Sequence, residues 1–119
     1  FPYFLGYADE AGSGEGLGYN LNYPMPRDTS FAQWQKSLSA ALAELDEFSP
    51  QYLIVSLGVD TFENDPISFF KLTTADYFST GAMIGGLSIP TLFVMEGGYD
   101  IDEVGINVLE VLKGFESVK

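Results

Sequence analysis

The sequence predicts an α/β fold with a parallel sheet, on three observations. Two short apolar runs, residues 52–57 (YLIVSL) and 91–95 (TLFVM), have the composition of buried strands. One helical pattern separates them and another follows the second. A strand–helix–strand crossover of this length makes a parallel βαβ unit with a right-handed connection. At 119 residues the chain is one domain or a piece of one, and with 46 % hydrophobic and 15 % aromatic residues it is not disordered.

The elements follow in order. Residues 1–27 are loop-like, with glycines at 6, 12, 14, 16 and 18, and Leu21-Asn22-Tyr23 reads as a short strand before Pro24 and Pro26. Ser30 and Gln33 have the spacing of a capping box. The helix they open is predicted over 31–48, with Phe31, Trp34, Leu38, Ala41, Leu42 and Leu45 on one face and Pro50 ending it. The strand over 52–57 is fully buried in character, and 60–72 is irregular. Thr73 and Asp76 form a second capping box for a helix over 74–87, and Pro90 precedes the strand over 91–95. The last helix is predicted over 102–112, with Asp102 and Glu103 in its first turn and Lys113-Gly114 as its end. The aromatic start, Phe1-Pro2-Tyr3-Phe4, is expected to pack against an upstream segment, so residues 1–119 read as a single C-terminal fragment.

Composition excludes several functions. Seventeen acidic against five basic residues give a net charge of −12, which argues against nucleic acid as a partner. Such a surface attracts cationic substrates, and it also serves solubility. The absence of cysteine excludes disulfides, thiolate zinc sites and cysteine nucleophiles, and favours an intracellular, cytoplasmic setting. No apolar stretch approaches the roughly 20 residues that span a bilayer, so no membrane partner is expected. Histidine is absent as well.

Each strand runs into a loop that can carry chemistry: Ser56-Leu57-Gly58-Val59-Asp60 and Met95-Glu96-Gly97-Gly98-Tyr99. In a parallel sheet both loops emerge at the carboxyl edge, where open α/β folds bind ligands. Asp60, just beyond a buried strand, is costly unless paired, hydrogen-bonded or metal-bound. Its loop also holds Glu63 and Asp65, and such a loop equally serves turn formation and helix capping. Asp65, before Pro66, has a side chain free to tie down the loop backbone. Gly97 and Gly98 permit positive φ and close approach. Tyr99 either offers its hydroxyl to a substrate oxyanion or packs at the rim toward solvent. The glycine-rich run 12–18 is no phosphate loop: no strand precedes it, its glycine spacing is wrong, and Asp9, Glu10 and Glu15 repel phosphate.

Ser56-Leu57-Gly58-Val59-Asp60-Thr61-Phe62, Asp65-Pro66, Phe70-Lys71-Leu72-Thr73 and Glu96-Gly97-Gly98-Tyr99 resemble the arginase–deacetylase superfamily. The similarity is greatest to bacterial acetylpolyamine amidohydrolases, relatives of the histone deacetylases. Residues 1–10 (FPYFLGYADE) and Asn22-Tyr23-Pro24-Met25 also look like that group, so the resemblance covers essentially the whole chain. It implies a partial three-layer α/β/α fold with a parallel sheet, the C-terminal portion of the family fold. It further implies a zinc ion held by two aspartates and a histidine, with Asp60 as the second aspartate and Tyr99 as the oxyanion-stabilising tyrosine. Phe1, Ile67, Gly97 and Gly98 match positions lining the narrow substrate channel, and Tyr19 matches a position near a monovalent-cation site. Cobalt, iron or manganese would also suit such a ligand set.

One departure is large: the Asp-x-His ligand motif and the histidine pair of the family are absent. One carboxylate does not complete a four-coordinate zinc site, and the histidine base is missing. The resemblance therefore implies that a longer parent is a zinc-dependent deacetylase of acetylpolyamines or acetyl-lysine-like amines. This chain alone is expected to be inactive. The alternative is a non-catalytic α/β module that acts by association, as a homo-oligomer or with the missing N-terminal half.

Overall fold

The structure is a computed structural model and describes residues 5–119. After a 3₁₀ turn at Gly14–Gly16 come α1 (Phe31–Phe48), β1 (Leu53–Leu57), α2 (Thr74–Gly85), β2 (Thr91–Met95) and α3 (Val104–Glu116). The two strands pair in parallel, from Leu53 opposite Thr91 to Leu57 opposite Met95. The expected βαβ unit is therefore present, with α2 as its crossover.

Local signals set the helix starts. Ser30 N–H donates to Gln33 Oε1 at 3.0 Å, and Thr73 N–H donates to Asp76 Oδ2 at 2.7 Å, so both capping boxes form. At the other end of α1, Ser49 adopts the left-handed conformation (φ 53°) and its N–H caps Leu45 and Asp46.

Leu57, Val59, Phe62, Leu72, Tyr77 and Val111 form the core, with Trp34, Val55, Phe93 and Val108 packed on it. The helices thus cover the sheet face that carries Val55 and Phe93. On the opposite face Ile54 is 67 % exposed and its cross-strand partner Leu92 is 58 % exposed. The expected full burial of 52–57 is not met: only Leu57 is buried, Leu53 and Val55 are half-buried, and Tyr52 and Ile54 are exposed, because a parallel sheet needs a layer on each side and the described helices supply one.

Helices α2 and α3 meet backbone to backbone through glycines. A Cβ on Gly81 would lie 1.9 Å from the Val111 carbonyl oxygen, and one on Gly114 would lie 1.9 Å from that of Phe78. This corrects the expected end of the last helix: Gly114 is an interior contact residue, and α3 continues to Glu116. Its start also shifts, to Val104, because Asp100 Oδ1 accepts the N–H groups of Asp102 and Glu103 (both 3.2 Å) and holds them in a turn. Likewise α2 stops at Gly85, two residues early, where Ser88 turns the chain with φ 55°. Leu21-Asn22-Tyr23 is not a strand. Side-chain amides fasten it instead: Asn22 Nδ2 donates to the Tyr7 carbonyl at 2.9 Å, and Asn20 donates to that of Glu10.

Candidate active site

The two loops leave the sheet side by side because the ladder continues past the strands. Glu96 N–H donates to the Leu57 carbonyl (2.9 Å), and Val59 N–H donates to that of Gly97 (2.8 Å). Asp60 follows at once, and its carboxylate rests on glycine. A Cβ on Gly97 would lie 2.6 Å from Oδ2, and one on Gly58 would lie 3.0 Å from Oδ1. Gly98 has φ 142°, a conformation other residues rarely adopt, and any Cβ there would meet Val59 Cγ2 at 2.7 Å.

Beneath Asp60 lies a buried phenol. Tyr77 O–H donates to the Val59 carbonyl (2.8 Å) and lies 3.0 Å from Thr61 Oγ1, which braces the backbone on both sides of Asp60. Burial pushes the Tyr77 hydroxyl well above its ordinary pKa; the Thr61 contact opposes this, and the charges of Asp60, Asp65 and Asp76 add to it. Burial also pushes the half-buried Asp60 carboxyl up, a shift that its own backbone hydrogen bond opposes and the Asp65 charge reinforces.

Asp65 joins the two loops. It is 6 % exposed, and its carboxylate accepts hydrogen bonds from three backbone N–H groups. Oδ1 accepts from Ile67 (2.9 Å) and Ser68 (3.1 Å), while Oδ2 accepts from Tyr99 (2.8 Å). Asp60 and Ile67 line a cleft of about 380 Å³ together with Tyr23, Met25 and Phe70. On its wall the Arg27 guanidinium carbon sits 3.3 Å from the Phe69 ring centroid, a cation–π contact.

The structure therefore gathers Asp60, Gly97, Gly98, Ile67 and Tyr99 at one edge, with Tyr99 about half exposed at 49 %. Tyr19 lies elsewhere. It is 74 % exposed, meets Phe48 edge-on (centroids 6.1 Å apart), and lines a separate groove with Leu21 and Leu45. Phe1 lies outside the described residues. Sequence reasoning found Asp65 as a loop tie but missed its bond to Tyr99, 34 residues away. It also missed Tyr77, which reads in sequence as one more apolar helix position.

Zinc, as the resemblance implies it, asks for about four ligands. Among the described residues no group of three or more His, Cys, Asp or Glu is placed to hold a metal, and the chain contains neither His nor Cys. Asp60 is one oxygen donor, buried in part, and the ion pairs among the described residues are Lys71–Asp28 and Lys113–Glu110. These residues alone do not fit a zinc ion.

The chain is similar in sequence and fold to known proteins. The chain is 54 % identical over 118 residues to acetylpolyamine amidohydrolase 2 of Pseudomonas aeruginosa, covering 99 % of this chain and 34 % of that protein. It is 53 % identical over 114 residues to the acetylpolyamine amidohydrolase of Mycoplana ramosa, covering 96 % and 33 %. It superposes on the crystal structure of an acetylpolyamine aminohydrolase from Burkholderia pseudomallei with a TM-score of 0.95 at 42 % identity, covering 99 % of this chain and 34 % of that one. The chain thus spans about a third of the length of these relatives. The family profile described as "Histone deacetylase domain" matches residues 1–115. By sequence and by fold, this chain belongs to the histone deacetylase domain family.

Proposed function

We propose that this chain is the C-terminal part of a zinc-dependent amidohydrolase that deacetylates acetylpolyamines or acetyl-lysine-like amines. The observation that carries the reading is the convergence at one sheet edge of a half-buried carboxylate, Asp60, and a tyrosine loop anchored through Asp65. In this reading Asp60 is one metal ligand, and its remaining partners come from the part of the longer protein outside this chain. Zinc, when bound, would polarise the amide carbonyl and activate water. Tyr99 then donates its hydroxyl to the oxyanion that forms as the amide is attacked. In the same reading Ile67 and the two glycines shape the channel wall, and the resemblance adds Phe1 as a further channel position and Tyr19 as a position near a monovalent-cation site. The net charge of −12 and the names of the relatives support a cationic, polyamine-like substrate, and the absence of cysteine suits the proposed cytoplasmic setting.

The test is acetate release from an acetylated polyamine by the longer protein containing this chain, with and without chelator. Zinc-dependent turnover is expected, with Asp60→Asn abolishing it and Tyr99→Phe lowering kcat about 10²–10³-fold. A zinc-loaded longer protein that releases no acetate from any acetylated amine overturns the reading.

A second reading rests on the bare sheet face of Ile54, Leu92 and Val94. Alone, the chain acts as an association module, burying that face against a second copy or the rest of the family domain.

A further inference from the structure

We propose that Asp65 is the positioning residue for Tyr99, and that its carboxylate locks the phenol-bearing loop to the cleft wall at Ile67. The inference rests on the deacetylase reading for its kinetic consequence, while its structural content stands on the contacts of Asp65.

A turn-forming aspartate needs only local bonds, and Asp65 has those through Oδ1 to Ile67 and Ser68. Its second oxygen does something else: it reaches the N–H of Tyr99 at 2.8 Å, 34 residues along the chain. A carboxylate that is 6 % exposed is costly unless its oxygens are satisfied, and three charge-assisted N–H bonds satisfy them.

Tyr99 needs such an anchor. It follows two glycines, one of them at φ 142°, whose backbone freedom does not by itself hold the phenol in one place. Beyond it, Asp100 Oδ1 fixes the N–H groups of residues 102 and 103. The tyrosine is therefore held between two aspartates, one at its own N–H and one at the turn that follows. Because one carboxylate binds both Ile67 and Tyr99, the wall and the hydroxyl donor keep a fixed spacing. An oxyanion donor gains its effect from being placed before the reaction, so loosening it lowers the rate of the chemical step more than substrate binding.

The experiment uses the longer protein that contains this chain, with Asp65→Asn, Tyr99→Phe and the pair together. The amide of Asp65→Asn keeps the side-chain shape and an oxygen for Ile67 and Ser68, but opposes an N–H₂ to the Tyr99 N–H. On an acetylated polyamine, Asp65→Asn is expected to lower kcat about 10–100-fold with KM changed less than about twofold. In the Tyr99→Phe background the same change costs less than about threefold, because the group it positions is gone. Amide hydrogen exchange at Tyr99 accelerates, while Ile67 and Ser68 stay protected. Undiminished multiplication of the two kinetic losses, or unchanged exchange at Tyr99, overturns the proposal. Where the unsubstituted protein shows no turnover, the deacetylase reading fails, and the exchange at Tyr99 alone decides on Asp65. If Asp65→Asn does not fold, the unsubstituted protein decides: a Tyr99 amide as protected as those of Ile67 and Ser68 supports the anchor, and a freely exchanging one overturns it.

Discussion

Gly97 and Asp60 share one space: a Cβ on the glycine would lie 2.6 Å from Asp60 Oδ2 and 3.0 Å from its Cγ. The absence of a side chain at Gly97 is what lets the carboxylate sit where it does. Gly97→Ala should therefore swing Asp60 away from its present direction. On the proposed reading of Asp60 as a zinc ligand, the longer protein's zinc affinity is expected to fall about 10–100-fold, the scale of losing ligand orientation at a metal site. Competition with a chromophoric chelator measures it, and an unchanged affinity would show that Asp60 does not need its glycine seat.

Helix α2 against α3 offers a test of packing alone. A methyl on Gly81 or Gly114 would meet a carbonyl oxygen at 1.9 Å, and neither backbone can retreat without separating the helices. Gly81→Ala and Gly114→Ala are each expected to destabilise by about 1–3 kcal/mol or more, despite alanine's better helix propensity. Gly105→Ala, where a Cβ meets nothing within 4 Å, should be neutral or stabilising. Urea midpoints of the three variants decide.

Tyr77 predicts a pH dependence. Tyr77→Phe removes the hydroxyl that serves the Val59 carbonyl and should cost about 1–2 kcal/mol near neutral pH. Burial raises the pKa of the folded phenol, whereas an unfolded tyrosine loses its proton near pH ~10. Below that pH both states are protonated and the phenol adds no slope. Above it the unfolded chain binds fewer protons than the folded one, so stability falls as pH rises. Tyr77→Phe lacks that loss, and its stability gap to the parent should narrow from about pH 10 upward. Denaturant titrations across that range give the slope; parallel curves would place the phenol in contact with solvent.

The bare sheet face should govern association of the isolated chain. Ile54 and Leu92 are cross-strand neighbours, both more than half exposed. Light scattering is expected to give a mass above 13.0 kDa that rises with concentration, and Ile54→Lys with Leu92→Glu should return it toward the monomer. A parent chain that stays monomeric at high concentration would rule out this face as an interface.

How much was legible depended on the range of the interaction. The two capping boxes and both strands could be read directly, because Ser30–Gln33 and Thr73–Asp76 act over three residues and β1 and β2 have the apolar, partly β-branched composition of buried strands. The loops at Asp60 and Tyr99 could be placed at one edge because parallel pairing puts the ends of both strands together. Gly114 was misread as a helix end since its true partner, the Phe78 carbonyl, lies on another helix. Leu21-Asn22-Tyr23 resembled a strand, yet side-chain amides claimed its neighbours instead.

By itself, then, the sequence determined the three helices, the two paired strands and the loops that leave the sheet edge, though not every segment or helix end, because propensity, capping and strand order are local or topological. Only the tertiary structure decided that Gly97 seats Asp60, that Tyr77 braces Val59, and that Asp65 binds Tyr99. Those contacts join residues far apart in the chain. They exist only after the sheet and helices have brought the loops within hydrogen-bonding distance, where a buried carboxylate or phenol must find a partner.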